Sequence, residues 1–386
     1  MVQGRNFFLK SEKYFKKNNM KLLSCIFLLY SISGVQLATP TLEFKKGNMK
    51  ETVLITGGAG YIGSHTAYLM AQRGYNVIIL DNFIYDQIFN YTWATVIKGD
   101  FGDKNLLDKI FSEYFISAVI HFAGFIAVGE SVKNPIKYYE NNVINTFHLL
   151  SSMIEHQVKR IIFSSSAAVY GMPERLPLTE DCRKQPVNPY GNTKLIIEYL
   201  LQDFAKAYDI KFVALRYFNA CCAEAQNGLG EYHIPETHII PLAIRAALED
   251  RPFNVFGDDY ETPDKTCIRD YLHVTDLAEA HLCALHYLRK GGSSDCFNLG
   301  TGHGYSVREI LDMVAYVCGK KLKFNNCARR EGDPSILVAD PSKAKEILKW
   351  KATHSDLEKI IKDAYQYELL LSSVLKKRNE VSLIGS

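Results

Sequence analysis

The stretch GGAGYIG constrains the fold of this chain most strongly, because its glycines stand between a strand pattern and a helix pattern. A β-rich run, Thr52–Thr56, precedes it, and a helical pattern follows to Arg73. Of Gly57, Gly60 and Gly63, one permits a tight turn, one lets the backbone approach a pyrophosphate, and one lets the helix pack on the strand. The N-terminus of the helix adds N–H groups and the positive end of a dipole. The stretch therefore predicts a dinucleotide-binding turn.

An acidic residue at the end of the next strand indicates which dinucleotide binds. The apolar run Asn76–Leu80 closes on Asp81, near the offset of about 20 residues at which such an acid hydrogen-bonds a ribose 2′-hydroxyl. An anionic Asp81 would repel a 2′-phosphate, so the sequence favours NAD over NADP as cofactor. The alternative is an ordinary turn followed by a surface acid.

Two further strand ends are candidates for the same site. Asp100, at the end of the third predicted strand, is placed to bond adenine edges or, alternatively, to cap the helix that begins near Lys104. Phe122, Ala123 and Gly124 end the fourth strand. In open α/β sheets, ligands bind at this carboxyl edge. Both positions extend the predicted cofactor site along one edge of the sheet.

Strands alternate with helices from Thr52 to Leu215, which predicts an α/β fold with a Rossmann-type, doubly wound parallel sheet. The predicted strands are Thr52–Thr56, Asn76–Leu80, Ala94–Lys98, Ala118–His121, Arg160–Phe163 and Lys211–Leu215. The first predicted helix between them ends at Arg73, and the others span Lys104–Tyr114, Pro135–His156 and Pro189–Tyr208. After Asn219 the elements become shorter and mixed: helix His238–Glu249, strand Phe253–Val255, helix Val274–Leu288, strand Cys296–Asn298, helix Val307–Val317 and an amphipathic helix Ser355–Leu371.

This change of rhythm predicts four parts. Residues 1–48 form an N-terminal extension, and residues 49–219 form the dinucleotide-binding domain, with later segments near 255–290 interleaved. Residues 220–372 form a second, smaller mixed α/β substrate domain, and residues 373–386 form a tail. A chain of 386 residues exceeds the size at which single cores stop growing, about 250–300 residues, which also favours two domains.

The composition excludes several classes of partner. The chain is 47% hydrophobic and 23% charged, and its formal net charge of +3 is too small to indicate nucleic acid or an acidic membrane. The nine cysteines are scattered and odd in number and form no CxxC, which favours a reducing compartment over a disulfide framework. Cysteine and histidine pairs with the spacing of zinc ligands are lacking, so no metal is expected.

The N-terminal residues allow two interpretations of localisation. A basic lead, Lys10–Lys21, precedes the apolar run Leu22–Ile32 and the small residues of Gly34–Ala38, as in a signal peptide with an overlong lead. The apolar run is too short for an ordinary membrane span, and no membrane association is expected of the mature chain. Met49 stands directly before the first strand, so residues 1–48 are favoured as a leader or a misassigned start. The prediction is cytoplasmic, with the secretory pathway as the alternative if residues 20–38 act as a signal.

A phenol, an ammonium and a hydroxyl are predicted to converge at the cofactor edge. Tyr190 and Lys194 begin a helix four residues apart and share one face, and Ser164–Ser166 end a strand. A phenol with a pKa near ~10 is a poor base at neutral pH, but the Lys194 ammonium and a positive nicotinamide favour the phenolate. Tyr190 would then accept a proton from a substrate hydroxyl while Ser166 hydrogen-bonds the same oxygen. The alternative places all three as ordinary helix-surface and strand-end residues.

A series of motifs, in order along about residues 50–370, resembles the UDP-glucose 4-epimerases of the extended short-chain dehydrogenase/reductase family. The motifs are TGGAGYIGSH (Thr56–His65), HFAGFIAVGES (His121–Ser131), YYENNV (Tyr138–Val143), SSSAAVYG (Ser164–Gly171), NPYGNTK (Asn188–Lys194), LRYFN (Leu215–Asn219), IRDYLHVTDLA (Ile268–Ala278) and RREGDP (Arg329–Pro334). The resemblance implies an NAD-dependent isomerase that interconverts UDP-galactose and UDP-glucose through a 4-keto intermediate, in the Leloir pathway of galactose metabolism. It also implies that NAD stays bound throughout the reaction.

The resemblance assigns roles to individual residues. It implies Ser166, Tyr190 and Lys194 as the catalytic residues. For the cofactor it implies Gly57, Gly60, Tyr61, Ile62, Gly63, Asp81, Asn82, Asp100, Phe101, Phe122, Ala123, Gly124, Asn142, Tyr190, Lys194 and Phe218. For the UDP-sugar it implies Ser166, Tyr190, Asn219, His238, Phe256, Arg269, Tyr271, Arg330 and Asp333. Arg269 and Arg330 can neutralise a diphosphate through charge-assisted hydrogen bonds, and Asp333 can accept from ribose hydroxyls.

Some positions depart from the family pattern. Ile126 stands where many members carry a lysine, which removes a cation near the cofactor and sugar. The stretch CCAEA, Cys221–Ala225, replaces a Gly-Ala-His-Pro-like stretch, and Ala168 stands where relatives often have threonine. Leu337 occupies a position whose size is linked to acceptance of N-acetylated sugars. Its intermediate size leaves that substrate question open.

The sequence leaves three alternatives to the interconversion of UDP-galactose and UDP-glucose. One is another UDP-sugar 4-epimerase, for N-acetylated sugars or uronic acids. A second is a nucleotide-sugar dehydratase or decarboxylase, which would need extra carboxylates at or near Ala167 and Ala168, where this chain has none. The third is a nucleotide-sensing regulator without catalysis, which would be expected to have lost the Tyr190, Lys194 and Ser166 trio.

Two of the predicted helices carry apolar side chains that have two possible partners. These side chains are Val143, Phe147, Leu150, Leu195, Ile196 and Tyr199. They either belong to the core or, as the family resemblance implies, pair with their copies in a four-helix homodimer interface.

Overall fold

The central element of the fold is a parallel sheet, as the alternating sequence predicts. The computed structural model describes residues 50–85, 91–233, 235–330 and 332–384, with side chains described up to Leu375. The predicted N-terminal extension, residues 1–48, and the signal-like segment within it lie outside the described residues.

The strands are numbered here in chain order over this described part. They are β1 (Thr52–Thr56), β2 (Asn76–Asp81), β3 (Thr95–Lys98), β4 (Ile116–His121), β5 (Arg160–Ser166), β6 (Lys211–Tyr217), β7 (Asn219–Cys221), β8 (Phe253–Phe256), β9 (Ile268–Arg269), β10 (Tyr271–His273), β11 (Asp295–Leu299), β12 (Tyr305–Ser306), β13 (Phe324–Cys327) and β14 (Ile336–Leu337). Seven of these strands form one sheet in the order β11-β6-β5-β4-β1-β2-β3, and every neighbouring pair is parallel. This is the doubly wound order 3-2-1-4-5-6 with one added strand.

The helices connect the strands in the expected alternation. They are α1 (Tyr61–Gln72), α2 (Lys104–Glu113), α3 (Val128–Lys133), α4 (Pro135–Tyr138), α5 (Asn145–Glu155), α6 (Pro189–Tyr208), α7 (Ile239–Leu248), α8 (Val274–Arg289), α9 (Val307–Cys318) and α10 (Leu357–Ile384). A π-helical segment, Tyr139–Ile144, joins α4 to α5. No helix in the described part of the chain combines the length and the apolar character that crossing a membrane requires.

The sheet is buried on both faces, which is why its strands appear in the sequence as continuous apolar runs. Successive side chains of a strand point to opposite faces. Val53 and Ile55 therefore contribute to one core, together with α1 and α8, and Leu54 contributes to the other core, with α2, α5 and α6. Full burial of such an aliphatic side chain contributes about 1.5–3 kcal/mol.

A separate apolar core lies outside the large sheet. It joins α7, α9 and α10 through residues such as Ile244, Ile310 and Ile360, all of them fully buried. In contrast, α8 packs on the large sheet and β11 forms its edge, although both follow residue 220. The predicted division into domains at 219/220 and 372/373 stays a prediction.

The structure differs from the predicted elements mainly where elements are short or irregular. Helix α3, the four-residue strand β13 and the strands of two or three residues were not predicted, because such segments show no periodicity. The predicted helix Pro135–His156 is divided by the π-helical segment. Strand β5 extends through Ser166 because its last residues pair with β6, Ser166 opposite Tyr217. Helix α10 continues to Ile384 rather than ending at Leu371.

Candidate active site

The glycine turn after β1 is shaped so closely that side chains would not fit in it. Gly57 has a φ of +68°, and a Cβ on it would lie 2.5 Å from the backbone nitrogen of Ala123. A Cβ on Gly63 would meet the carbonyl oxygen of Gly57. The backbone of β1, the turn and the end of β4 are therefore in close contact. This is the cradle that a dinucleotide pyrophosphate requires.

The N-terminus of α1 is left for an anionic ligand. Its N-cap residue is Gly60, which provides no side-chain hydrogen bond to the first turn. The first N–H groups of a helix have no partner within the helix, and the dipole there is positive. Phosphate oxygens suit both features. The residues present thus fit NAD, as the glycine motif predicts.

Asp81 is held beside this turn by two backbone N–H groups. Ala59 N–H donates to one carboxylate oxygen at 3.0 Å, and Phe83 N–H donates to the other at 2.9 Å. Burial raises the pKa of Asp81, while these backbone hydrogen bonds act to lower it. Each carboxylate oxygen can accept a further hydrogen bond, as contact with a ribose would require. The side chain of the next residue, Asn82, accepts from Ile84 N–H at 3.3 Å.

Asp100 stands at the same edge, and its alternative role as a helix cap is wrong. The N-cap of α2 is Asp103, whose side chain accepts from Leu106 N–H. Asp100 instead accepts from Gly102 N–H at 2.7 Å and from the Asn145 amide at 3.2 Å through one oxygen, Oδ1. Its predicted contact with adenine stays a prediction.

Asn142 organises the backbone behind the predicted cofactor site. Its amide accepts from Phe125 N–H at 2.8 Å, donates to Phe125 O at 3.0 Å, and donates to Thr193 Oγ1 on α6 at 3.2 Å. The side chain thus connects the loop after β4 with α6. A direct contact between Asn142 and the cofactor stays a prediction.

Replacing Gly63 with alanine is expected to lower stability by about 1–3 kcal/mol, because the added methyl overpacks the turn, and to lower the fraction of purified protein that carries NAD. Thermal unfolding and the NAD released on denaturation measure the two effects. Gly129→Ala is the matched control, since a Cβ there meets nothing within 4 Å. In α3 that methyl should stabilise by about 0.5–1 kcal/mol. Equal behaviour of the two variants would contradict the proposed role of the turn.

The start of α6 explains how Tyr190 and Lys194 reach the sheet edge. Asn188 caps the helix by accepting from Gly191 N–H at 2.9 Å, and Pro189 occupies a first-turn position, where its missing N–H costs nothing. Tyr190 therefore lies in the first turn, and Lys194 lies one turn later on the same face.

Lys194 is buried and anchored to the strand that carries the serines. Its Nζ donates to the carbonyl oxygen of Ser164 at 2.7 Å and lies 5.0 Å from the centre of the Phe163 ring and 5.8 Å from that of Tyr190. Burial lowers the pKa of Lys194 to about 7, and the negative charge of Glu198 acts in the opposite direction. The structure thus places the ammonium near the phenol, as predicted.

Tyr190 and Ser166 meet at the end of β5. Burial raises the pKa of the Tyr190 phenol, while its hydrogen bond with Ser166 acts to lower it. Ser166 Oγ also accepts from Ala168 N–H at 3.1 Å, which fixes the hydroxyl at the start of the following turn. The phenol, the ammonium and the hydroxyl therefore form one group at the same carboxyl edge of the sheet as the glycine turn. The geometry suits proton transfer to or from a substrate hydroxyl.

Four of the residues predicted for the nucleotide lie in two contacting pairs. Arg269 Nη2 contacts Asp333 Oδ1 at 2.5 Å and donates to Pro334 O at 2.6 Å. Asp333 is thus an ion-pair partner of Arg269 within this structure, whereas its predicted partners are ribose hydroxyls. That assignment stays a prediction. Arg330 lies 4.3 Å from the centre of the Phe256 ring, so these two predicted residues lie side by side.

The other predicted nucleotide contacts are positioned by their neighbours. Asn219, at the start of β7, donates its amide to Asp270 O at 2.9 Å. Tyr271 is buried, and burial raises the pKa of its phenol. Phe218 and Leu337 each pack against a small buried cluster that includes Tyr170. Because Leu337 pairs with Arg269 between β14 and β9, it borders the predicted nucleotide site.

His238 has a protein partner that the sequence analysis missed. Its ring contacts the carboxylate of the buried Glu231, which also lies 3.1 Å from His233. Although burial acts to lower it, the pKa of His238 is raised to about 9 by Glu231. The histidine is therefore charged at neutral pH in this structure. Its predicted contact with the UDP-sugar stays a prediction.

Two groups of potential metal ligands come together among the residues that the structure describes. One group is Glu231, His233, Glu236 and His238, and the other is Cys222, His273 and Asp363. Lys359 donates to Asp363 at 2.7 Å, so the second group already contains a cation. The expectation that the chain binds no metal stays a prediction.

The departures from the family pattern have structural counterparts. Cys222 has a φ of +83°, which is uncommon for a residue with a side chain. Its carbonyl accepts from the Tyr61 hydroxyl at 2.6 Å, so the Cys221–Cys222 loop holds a residue of the glycine motif. Ile126, which stands at the position of a family lysine, is exposed. Of the residues predicted for the cofactor, Ile62 packs against the sheet core and Phe101 is buried.

Comparison with known proteins agrees with this geometry. The model of the NAD dependent epimerase/dehydratase family matches residues 53–300. The UDP-glucose 4-epimerase of Halalkalibacterium halodurans is 47% identical over 316 residues, which cover 82% of this chain and 95% of the relative. The structure of the UDP-glucose 4-epimerase of Brucella ovis in complex with NAD has a TM-score of 0.80 at 47% identity, covering 82% of this chain and 98% of that one.

A second solved structure adds a nucleotide. The UDP-glucose 4-epimerase of Bifidobacterium longum in complex with NAD+ and UDP has a TM-score of 0.77 at 39% identity, covering 83% of this chain and 98% of that one. Family model, sequence and structure thus agree over the same region. The chain therefore belongs to the UDP-glucose 4-epimerases of the NAD-dependent epimerase/dehydratase family.

Proposed function

We propose that this chain is an NAD-dependent isomerase that interconverts UDP-galactose and UDP-glucose, as in galactose metabolism. The observation that supports the proposal is the meeting of Tyr190, Lys194 and Ser166 at the sheet edge that also carries the glycine turn. When bound, NAD supplies the acceptor that takes a hydride from C4 of the sugar and returns it. The residues of the chain supply proton transfer, orientation and the anchoring of the nucleotide.

Tyr190 moves the proton in this reaction. It accepts the proton of the C4 hydroxyl as hydride leaves the same carbon, which produces the 4-keto sugar, and it gives the proton back when the hydroxyl is restored. Because burial raises the pKa of Tyr190, the phenolate needs a nearby positive charge. The ammonium of Lys194 provides that charge, and Ser166 hydrogen-bonds the reacting oxygen.

Arg269 and Arg330 anchor the nucleotide while the sugar turns. Arg269 lies on β9, which pairs with β14, and Arg330 lies over the Phe256 ring at the end of β8. Both guanidinium groups can bind diphosphate oxygens through charge-assisted hydrogen bonds. Inversion at C4 requires that the 4-keto sugar present its other face before hydride returns. A fixed nucleotide and a mobile sugar meet this requirement, whereas a rigid sugar site would regenerate the starting isomer.

The test is incubation of purified, NAD-containing protein with UDP-galactose, UDP-N-acetylgalactosamine and UDP-glucuronate in separate reactions, followed by chromatographic analysis of the products. UDP-glucose is expected from UDP-galactose. Conversion of the second or third substrate would extend the specificity, which depends on the pocket beside Leu337. Loss of water or carbon dioxide from the sugar would contradict an epimerase, and NAD binding without turnover would indicate a sensor.

A dehydratase or decarboxylase is disfavoured by the turn after β5. The three residues that follow Ser166, Ala167–Val169, form a 3₁₀ turn, and the backbone of Ala168 donates to Ser166. Those reactions need a second acid or base next to the serine to act at C5. Alanine provides neither, so Tyr190 is the proton carrier that this edge offers.

We also propose that the chain forms a homodimer through α5 and α6. Of the apolar residues identified on these helices, Leu150 and Leu195 are buried in the core, whereas Phe147 and Tyr199 are exposed. Phe147 packs edge to face against Phe204 of α6, with 5.8 Å between ring centres. An apolar surface across two adjacent helices suits an isologous interface with a second copy.

Replacing Phe147 with glutamate is expected to weaken dimerisation by about 100-fold or more, because a charge would be buried in the interface. Light scattering across a concentration series measures the effect. Tyr316→Glu, on the exposed surface of α9, is the matched control and should leave the dimer unchanged. A wild-type protein that scatters as a monomer, or a Phe147 variant that still dimerises, would rule out this interface.

We further propose a cytoplasmic location. The thiols Cys182, Cys221, Cys222, Cys267, Cys283, Cys296, Cys318 and Cys327 are free in the described structure, as a reducing compartment would leave them. Mass spectrometry of the N-terminus of the protein from its native cells would test the proposal, since removal of residues up to about 38 would indicate the secretory pathway instead.

A further inference from the structure

A buried ion pair lies directly behind Lys194. Glu198, one turn further along α6, is fully buried, and its carboxylate binds Arg216 of β6 in a bidentate manner, with distances of 2.8 Å to Nε and 2.6 Å to Nη2. The hydroxyl of Ser165 donates to the same carboxylate at 2.5 Å. The fold thus places a carboxylate paired with a guanidinium on the helix turn next to Lys194.

The hydrogen bond from Ser165 links this ion pair to the end of β5, so Glu198 connects the two elements that carry the catalytic group. Ser165 lies between Ser164, whose carbonyl accepts from Lys194, and Ser166, which contacts Tyr190. Glu198 and Lys194 lie on the same helix. The Ser165–Glu198 hydrogen bond therefore holds the end of β5 and the first turns of α6 in fixed relative positions.

We propose that Glu198 is a positioning residue that keeps Lys194 as an ammonium against the Ser164 carbonyl, with Arg216 as the ion-pair partner of Glu198. The inference deepens the proposed function, because it rests on the role of Lys194 in that reaction. Glu198 does not touch the substrate. It acts through Lys194, by charge and by holding the helix against the strand.

The other titratable groups around Lys194 do not replace this charge. From β4, His121 faces Lys194, and burial lowers the pKa of His121 to about 3, so it is neutral. From β6, Tyr217 contacts Ser164, and burial raises the pKa of its phenol, so it too is neutral. On α6 itself, Tyr190 is the reacting phenol. Glu198 is therefore the anionic side chain that offsets the burial of Lys194.

The other groups near the ion pair are the thiol of Cys296, the ammonium of Lys184 and the hydroxyl of Tyr170. Cys296 of β11 approaches the carboxylate at 3.9 Å, and burial raises the pKa of this thiol to about 12, so it carries no charge. Lys184 donates to Glu180 O at 2.6 Å, and burial lowers its pKa. Arg216 also donates to the Tyr170 hydroxyl at 2.9 Å. The strong partner of Glu198 is Arg216.

The test is the variant Glu198→Gln, which keeps the shape and an acceptor for Ser165 but removes the charge. Loss of a nearby negative charge disfavours the ammonium, so the pKa of Lys194 should fall by about one unit. An ammonium is present below its pKa and is lost as pH rises through it. The high-pH limb of kcat should therefore move down by about one unit, which corresponds to about tenfold less activity above that limb.

A second measurement does not depend on turnover. In protein labelled with ¹³C-lysine and loaded with NAD, the titration of Lys194 can be followed by NMR and assigned by its absence in Lys194→Met. If the wild type fails to convert any UDP-sugar, the proposed function fails, yet this titration still tests the role of Glu198. Glu198→Asp keeps the charge and should restore a titration close to that of the wild type.

Glu368→Gln is the matched control, because Glu368 forms a second buried, bidentate pair with Arg245 at 2.8 and 2.9 Å. It should lower stability and leave both the pH limb and the Lys194 titration unchanged. If Glu198→Gln does not fold, Glu198→Gln/Arg216→Gln, which leaves no unpaired charge, replaces it with the same expected direction. A wild-type Lys194 titration in Glu198→Gln, or in the double variant that replaces it, would overturn the proposal.

Discussion

Replacing Tyr190 with phenylalanine is expected to reduce kcat for UDP-galactose by about 10³-fold, while the NAD content and the unfolding temperature stay close to those of the wild type. Positioned general acid–base catalysis contributes about 10²–10⁴-fold, and Tyr190 is the group placed to transfer the proton. The ring remains, so packing at the start of α6 is preserved. Steady-state kinetics and the NAD released on denaturation measure the two quantities.

The matched control is Tyr208→Phe, which removes a hydroxyl from the same helix at an exposed position. It should change kcat by less than about twofold, since surface substitutions have small effects. A Tyr190 variant with near-normal kcat would contradict the mechanism. A variant that has lost NAD would instead show that the hydroxyl has a structural role, which the turnover of reloaded protein would separate from the chemical one.

The catalytic group could be predicted from sequence because its members lie at the ends of regular elements. Parallel strands share one carboxyl edge, so Ser166 at the end of β5 and the glycine turn after β1 must lie at the same side of the sheet. The spacing of Tyr190 and Lys194 fixes their common helical face. Local rules of strand and helix geometry were sufficient for these positions.

The partners of the charged residues could not be predicted in this way. Glu198 and Arg216 are 18 residues apart and meet because α6 packs over the strand that follows it. Arg269 and Asp333 are 64 residues apart and meet through the pairing of β9 with β14. These short strands have no periodic signal, so the ion pairs depend on tertiary packing that the sequence pattern does not show.

Irregular helix geometry set a further limit. The apolar pattern of 135–156 predicts one continuous helix, but a π-helical segment interrupts it at Tyr139–Ile144. Such segments are frequent at functional sites. Here the segment contains Asn142, whose amide reaches both Phe125 and Thr193. The motif YYENNV identified Asn142 as a candidate site residue, whereas the apolar periodicity of the segment did not indicate the π-helical turn.

Replacing Arg269 with glutamine is expected to weaken binding of the UDP-sugar by roughly 100-fold, with little change in NAD content. Removing one partner of a desolvated charge pair costs about 2–5 kcal/mol. The substitution removes the guanidinium that would contact the diphosphate, and it leaves Asp333 without its cation. Calorimetric titration of the NAD-containing protein with UDP measures the affinity, and the ratio of KM to kcat measures the effect on turnover.

Arg269 also has a structural role, which a control variant must separate from the role of its charge. Its guanidinium also donates to Ile268 O at 2.7 Å and to Pro334 O at 2.6 Å, so it fixes the RREGDP loop against β9. Arg329→Gln is the matched control, because Arg329 belongs to the same loop but pairs on the surface with Asp259 at 2.6 Å. Exposed pairs contribute about 0–1 kcal/mol, so UDP affinity should change by less than about fivefold.

If both variants lose affinity equally, the loop and not the charge of Arg269 holds the nucleotide. If neither does, the diphosphate is anchored elsewhere, and the sugar cannot turn about the anchor proposed above.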